Sequence, residues 1–366
     1  MLVRTMQSPT TRAKTWTVVD DSGLPITQID DFLAYLDNIE RSPNTVKAYA
    51  FDLKSYWSFL ERRGRHWDAV TIEDLAHFIQ YLRSPDPTVL MLPGSRKTRS
   101  EKTVNRALAA VSSFYKFEAQ RSDSRTAERL MRHARLARRP ISTVLDGVGN
   151  ISPAHRTTEV MGPRLRTRSE PMETLTVQQA RRIIDACTTL RDRLFFTMLF
   201  TTGMRRGQAL GLRHCDVDAR ARTVMIVPRD DNENGARSKG FKHVTLPVSR
   251  EVTRLYLDYM HTEYGDLDSD YVFVNLWGGV RGAALTDKTV DTIVAKLRVA
   301  TGLGEWSCHT FRHTWATLHR RAGMSIEVIS YLLTHADIKT TASVYTHLDA
   351  DDLRNELIRY GCWDES

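Results

Sequence analysis

The chain has 366 residues, enough for two domains with real cores, and its 52 Lys and Arg against 44 Asp and Glu leave a formal charge of +8. That balance favours a polyanionic partner such as nucleic acid, although charge alone does not establish one. No stretch approaches the roughly 18 apolar residues of a membrane span, the first twenty residues lack a continuous apolar core, and the four scattered cysteines have neither disulfide-framework density nor CxxC spacing; a soluble cytoplasmic protein with buried free thiols and no membrane partner is expected.

Residues 1–25 are expected to be an N-terminal tail. From 26 to 120 apolar residues recur at helical spacing: Ile29, Phe32, Leu33 and Leu36, then Val46, Leu53, Tyr56 and Leu60, then Leu75, Phe78 and Leu82, and finally Val104, Leu108, Val111 and Phe114. Four amphipathic helices in one compact bundle are predicted. Two of them open alike, Ser42-Pro43-Asn44-Thr45-Val46 and Ser100-Glu101-Lys102-Thr103-Val104, each with serine where an N-cap belongs. These are ordinary caps or helix starts facing DNA phosphates. Exposed amides and a positive dipole end favour anions, and Lys47, Lys102 and Arg106 lie in the first turns. The candidate phosphate contacts are therefore Ser42, Thr45, Lys47, Ser100, Lys102, Thr103 and Arg106.

Residues 121–172 change character. Arg121, Arg125, Arg129, Arg132, Arg135 and Arg138 recur three or four apart with few acids, a basic helical stripe that ends before Pro140. A solvated face is the bland meaning; a nearly single-signed stripe repels itself unless a polyanion covers it, so Arg125, Arg129 and Arg132 are candidate DNA contacts. Pro140 to Pro171 mixes Gly, Pro and Arg without apolar period, as an interdomain linker does.

A second domain over 173–366 begins with Thr176-Val177-Gln178-Gln179, a capping-box pattern, and continues with a buried helix from Leu194 to Thr201 that ends at Gly203. Strand-like runs follow over Thr223–Val227, His243–Val248 and Tyr271–Asn275. Helices then dominate over Glu251–Tyr264, Thr286–Ala300, His309–Ala322 and Ser325–Leu333. The fold class is mainly α with a small antiparallel sheet, an α+β arrangement.

Near the end, His309-Thr310-Phe311-Arg312-His313 precedes Leu333-Thr334-His335 and Tyr345. A tyrosine, arginines and histidines without an accompanying acid cluster suit metal-free attack on a phosphodiester, because arginine forks carry charge that a metal would otherwise neutralise. His309 and His313, four apart on a helix, also fit a zinc pair, but no glutamate fills the HExxH position and no third ligand is evident. No metal and no cofactor is expected.

Thr202-Gly203-Met204-Arg205-Arg206-Gly207, a strand-flanked Lys239, His309-x-x-Arg312, His335 and Tyr345 resemble, in that order, the tyrosine recombinase (phage integrase) family. The resemblance spans about residue 173 to the end, and the four-helix region looks like that family's SAM-like core-binding domain. It implies a site-specific recombinase that cleaves and rejoins DNA through a 3′-phosphotyrosyl link without metal or ATP. Arg205 and Arg312 would clamp the phosphate, Lys239 would be the hairpin lysine that protonates the leaving oxygen, His309 and His335 the two histidines, and Tyr345 the nucleophile. Trp16 to Asp20 and Pro43 to Tyr49 look like the transposon-encoded branch often called transposase A, though an integrase of a phage or conjugative element is similar. Gln208 stands where the family usually has glutamate, and Thr334 where glycine is common in Leu-Gly-His.

The implied partners are double-stranded DNA carrying specific recombination sites, further copies of the chain in a tetramer on two duplexes, and accessory proteins encoded by the same mobile element. The implied location is the bacterial cytoplasm, at the nucleoid. Leu353, Leu357 and Ile358 could form an apolar face on a last helix, docking on a neighbouring protomer or packing in cis. Three other readings remain open here: a type IB topoisomerase using similar chemistry, an inactive DNA-binding protein of the same fold, and a metal-dependent nuclease built on Asp230-Asp231 or Asp351-Asp352.

Overall fold

The computed structural model describes residues 1–7, 14–84, 99–121, 130, 163–166, 173–237 and 243–334. The chain divides into two compact units, Met1–Ser169 and Glu170–Ser366. Helices predominate in both, and each carries a small antiparallel sheet.

The first unit begins with a hairpin where a tail was expected. Strands β1 (Leu2–Gln7) and β2 (Lys14–Val19) pair antiparallel from Leu2↔Val19 to Gln7↔Lys14. The hairpin is held because Trp16 and Val18 join the core of the helices that follow, packed with Phe32, Tyr56 and Phe114. Helix α1 (Thr27–Asn38) supplies Ile29, Phe32, Leu33 and Leu36 to that core, α2 (Pro43–Arg62) supplies Val46, Leu53, Tyr56 and Leu60, α3 (Ile72–Arg83) supplies Leu75, Phe78 and Leu82, and α4 (Glu101–Arg121) supplies Val104, Leu108, Val111 and Phe114. Each buries one stripe at helical spacing, as an amphipathic helix must. Inside, Tyr115 donates to the Trp67 carbonyl at 2.6 Å and receives the Tyr56 hydroxyl at 3.0 Å, so both buried phenols are satisfied. Asp52 faces Arg106, and Tyr56 faces Tyr115. Both pairs advance in chain order, so α2 and α4 run in the same direction with their N-termini at one end.

The second unit is built around α6 (Leu190–Thr202), preceded by α5 (Val177–Asp185) whose Thr176–Gln179 capping box forms as predicted. Leu194, Phe195, Phe196 and Leu199 of α6 are all buried, against Phe273, Trp306 and Phe311 among others. Its N-terminus is closed by the Glu263 carboxylate, which accepts from the amides of Leu190 (2.8 Å) and Arg191 (3.0 Å), an anion where the helix dipole favours one. Glu263 lies in the π turn Met260–Tyr264 that extends α8 (Arg250–Tyr259). The remaining helices are α7 (Arg206–Leu210), α9 (Asp287–Thr301), α10 (Cys308–Arg321) and α11 (Ile326–Leu332).

The sheet differs from expectation in one member. Strands β4 (Thr223–Ile226) and β5 (Val244–Pro247) pair as predicted, but the third is β3 (Val217–Asp218), in the order β3-β4-β5. Tyr271–Asn275 makes isolated bridges only: Val272 donates to the Leu212 carbonyl on one side, and Phe273 accepts from Leu285 on the other. The segment changes partner midway, Tyr271 and Val272 facing 212–213 and Phe273 to Asn275 facing 282–285, so no ladder runs along its length, while Tyr271 to Val274 are all buried. β-Branched content therefore marked burial there, not pairing. Cys187 and Cys308 are buried as expected, whereas Cys215 is exposed. Among the described residues no helix is long and apolar enough to cross a membrane.

Candidate active site

Helix α6 ends at Gly203, and two separate features of this position call for glycine. The residue caps the helix with φ +66°, a left-handed conformation that suits glycine. A Cβ there would also lie 2.8 Å from the Leu333 side chain and 2.8 Å from the Trp315 ring. Trp315 is itself pinned to the end of α6, its indole N–H donating to the Thr201 carbonyl at 2.9 Å. Thus α6, α10 and the end of α11 meet at one glycine, and Arg205 follows two residues later at the start of α7.

Arg312, on the inward face of α10, is 1% exposed. Its Nη1 donates to the Gly203 carbonyl at 2.9 Å and its Nη2 to the Leu333 carbonyl at 2.6 Å. The same Leu333 carbonyl lies 3.4 Å from Nη1 of Arg205, which is half-buried and makes a shorter bond, 2.9 Å, to the Thr334 hydroxyl. A single peptide carbonyl therefore gathers two guanidiniums contributed from positions more than a hundred residues apart. Two cations in that proximity repel unless an anion or neutral acceptors hold them.

His309 is exposed on the first turn of α10, one helical turn before the buried His313, with ring centroids 4.2 Å apart in an edge-to-face arrangement. Burial, followed by the charges of His309 and Arg312, pushes His313 down to about 4, so it is neutral near neutral pH. The structure thus separates the pair into an accessible imidazole and a buried one. Among the described residues no three His, Cys, Asp or Glu side chains gather into a metal-sized group. Asp231 pairs with Arg213 at 3.0 Å on the surface.

Of the six residues expected to act in catalysis, Arg205, His309 and Arg312 lie within the described residues. Lys239, His335 and Tyr345 lie outside them, as do Arg125, Arg129 and Arg132 of the basic stripe and the helix expected near Leu353, Leu357 and Ile358. The loop leading to Lys239 is described as far as Arg237 and is firmly tied. Arg229 forks onto Asp216 at 2.7 Å through both nitrogens, and Asn234 donates to the carbonyls of Leu210 (3.0 Å) and Leu285 (2.8 Å). It runs so close to α7 that a Cβ on Gly207 would lie 2.5 Å from the Arg237 carbonyl. The described end of this loop, at Arg237, is therefore brought to Gly207, two residues after Arg205.

In the first unit the two serine caps form equivalently. Ser42 Oγ accepts from the Thr45 amide at 3.2 Å and contacts its hydroxyl at 2.9 Å; Ser100 Oγ accepts from the Thr103 amide at 3.4 Å and contacts its hydroxyl at 3.0 Å. Lys47 and Lys102 are exposed beside them. Arg106 is engaged otherwise: it forks onto the buried Asp52 at 2.9 and 3.0 Å with half of its own side chain exposed. Burial raises the Asp52 carboxyl against the lowering effect of Arg106.

Sequence reasoning missed three contributors: the Leu333 carbonyl, the Gly207 approach, and a hydrogen bond of 2.9 Å between Gln208 and Thr334. The first is a main-chain atom and has no residue signature. The third joins the two positions at which the chain departs from the usual pattern.

Residues 173–352 match the family model described as "Phage integrase family", and residues 29–122 match "Phage integrase, N-terminal SAM-like domain". Transposase A from transposon Tn554 of Staphylococcus aureus is 34% identical over 331 residues, covering 90% of this chain and 89% of that protein. Tyrosine recombinase XerC of Chlamydia caviae is 26% identical over 332 residues, covering 87% and 93%. Among solved structures, the Tn1549 transposon integrase in complex with transposon right-end DNA shares the fold with a TM-score of 0.60 at 17% identity, covering 91% of this chain and 99% of that one. The XerH recombinase bound to a palindromic difH substrate gives 0.59 at 15% identity, covering 94% and 90%.

Proposed function

This chain belongs to the phage integrase family of tyrosine recombinases, and from that membership we propose how its residues cut and rejoin DNA as a site-specific recombinase. The observation that carries the residue assignment is the convergence of Arg205 and Arg312 on the Leu333 carbonyl, two residues before His335. A phosphodiester at this point would receive both forks on its non-bridging oxygens. Removal of one such donor typically costs about 3 kcal/mol of barrier, roughly a hundredfold in rate. Arg312 is 1% exposed as it stands, so phosphate access to it requires a local rearrangement.

The Tyr345 oxygen attacks phosphorus while the bond to the 5′-oxygen breaks, leaving a 3′-phosphotyrosine and a 5′-hydroxyl. A phenol of pKa about 10 is protonated at neutral pH, so its proton must pass to an acceptor, and the exposed His309 is assigned that role. Lys239 gives a proton to the leaving 5′-oxygen, a task for which an ammonium is better suited than an arginine. His335, beside Thr334 in the chain, completes the phosphate shell. Attack by a second 5′-hydroxyl on the phosphotyrosine reverses the sequence and rejoins strands without ATP.

DNA is held by the first unit as well. The parallel course of α2 and α4 puts Ser42, Thr45, Lys47, Ser100, Lys102 and Thr103 at one end, where two sets of helix amides can meet phosphates. The Arg125, Arg129 and Arg132 stripe adds sequence-independent contacts. Two duplexes and four protomers form the working assembly, in the manner of a transposase A-like element enzyme. The decisive experiment is covalent trapping on a nicked suicide substrate made from the element ends. Wild-type protein should give a denaturant-resistant adduct and Tyr345→Phe none; an undiminished adduct in that variant would move the nucleophile to Tyr331 or Tyr360.

A further inference from the structure

Thr334 combines two features that rarely coincide. Its φ is +55°, in the left-handed region where a β-branched side chain is strained. Its hydroxyl accepts two hydrogen bonds at 2.9 Å, from Nη1 of Arg205 and from Nε2 of Gln208. Gln208, in turn, accepts the Arg205 main-chain N–H on its Oε1 at 2.7 Å. Because an amide N–H can only donate, this last bond fixes the orientation of the Gln208 carboxamide and turns its NH2 toward Thr334. The three residues form a closed ring in which Arg205 is held at both ends, its main chain by Gln208 and its guanidinium by Thr334.

We propose that Gln208 and Thr334 are a neutral positioning pair that fixes the Arg205 guanidinium for phosphate contact, at the expense of backbone strain at Thr334. The proposal rests on Arg205 acting on the scissile phosphate. Strain retained in a tight turn beside a reactive group has a functional rationale when the strained side chain makes a contact that an unstrained residue cannot. Glycine at 334 would relax the backbone and lose both hydrogen bonds. An ionised carboxylate at 208 would keep a bond to the Arg205 amide but place a formal negative charge beside the phosphate position. Neutral holders give orientation without cancelling the charge.

The test uses the full chain and single-turnover cleavage of a nicked substrate at saturating protein, with thermal unfolding measured in parallel. Thr334→Gly is expected to slow cleavage by about 10- to 100-fold, the range for a lost hydrogen bond to a charged group. Its unfolding temperature should stay within about 2 °C of wild type, since relief of strain offsets the lost bonds. Thr334→Val keeps the shape and the strain without the hydroxyl and should slow cleavage similarly. Thr334→Ser should recover cleavage to within about threefold, which a purely steric role would not produce. In an Arg205→Ala background, Thr334→Gly should cost nothing further in rate. If Arg205→Ala abolishes cleavage while Thr334→Gly and Thr334→Val cleave within twofold of wild type, the positioning pair is refuted and the role of Arg205 stands. If Arg205→Ala itself cleaves normally, the reading of Arg205 fails first and the pair has nothing to position.

Discussion

Gly203→Ala tests whether the junction of α6, α10 and α11 is as tight as the structure shows. Holding alanine at φ +66° costs roughly 1–2 kcal/mol. The added methyl would lie 2.8 Å from Leu333 and 2.8 Å from Trp315, closer than any real contact, and crowding of that kind costs about 1–3 kcal/mol. The stiffer unfolded chain returns about 0.4–1 kcal/mol. A net destabilisation of roughly 1–5 kcal/mol follows, and in a unit of this size it lowers the unfolding temperature by about 2–20 °C. Relief by moving Leu333 has a second consequence, because its carbonyl accepts from both Arg205 and Arg312. A displacement approaching 1 Å in a catalytic group costs up to about a hundredfold in rate. Calorimetry of the full chain, paired with single-turnover cleavage at a temperature where the variant is folded, reads both effects. Unfolding within 2 °C of wild type together with cleavage within twofold would show that the junction has room for a methyl and refute its tight packing.

The two arginines should separate in stability. Arg312→Ala removes the donor to the buried Gly203 carbonyl and leaves the Leu333 carbonyl only its longer bond from Arg205, and should destabilise by about 1–3 kcal/mol, whereas the half-buried Arg205 should cost less, although each variant loses cleavage by roughly a hundredfold with DNA binding little changed; equal melting temperatures for the two would contradict the difference in burial. His313 is depressed to about 4 from an ordinary 6.5, so the unfolded chain binds a proton between those values that the folded chain does not, and stability falls as pH drops through that window. The contribution is on the order of 3 kcal/mol, and urea melts from pH 7 to pH 4 should show a shallower loss in His313→Gln than in wild type; parallel curves would remove His313 as the cause. Burial pushes the Cys187 and Cys308 thiols up to about 12 while Cys215 is exposed, so brief alkylation of native protein at pH 8, localised by peptide mass, should mark Cys215 and spare the other two.

The helices of the first unit were legible because each buries a single stripe, so burial and helical period coincide in the sequence. The hairpin was not, for a physical reason: Trp16, Thr17, Val18 and Val19 are all buried, which erases the alternation that identifies a one-sided strand. Tyr271–Asn275 failed in the opposite direction, because a fully buried extended segment carries strand composition whether or not it pairs. At the site, Arg205, His309 and Arg312 were legible as motif members and the structure brings the two arginines together. The roles of Lys239, His335 and Tyr345 rest on family membership. Gln208 and Thr334 were each visible as a departure, but their contact spans 126 positions, and local spacing carries no information at that range.

The acceptors around the arginines offer a further criterion. Arg106, Arg213 and Arg229 are each bound to a carboxylate, Asp52, Asp231 and Asp216 respectively, and their charges are thereby answered within the fold. Arg205 and Arg312 both donate to neutral oxygens: the carbonyls of Gly203 and Leu333 and the hydroxyl of Thr334. A carboxylate at about 4 Å would offset roughly 4 kcal/mol of each arginine's attraction for an incoming phosphate at an effective dielectric of 20. Carbonyls impose direction without that offset, because their dipoles orient a guanidinium and leave its net charge in place. Sequence does not show these contacts, since the residues that supply the carbonyls, Gly203 and Leu333, have no polar side chain. This site therefore depends on backbone geometry as well as on side-chain identity. Substitutions at Gly203, Leu333 and Thr334 that shift the main chain should therefore damage cleavage more than replacement of exposed charges nearby.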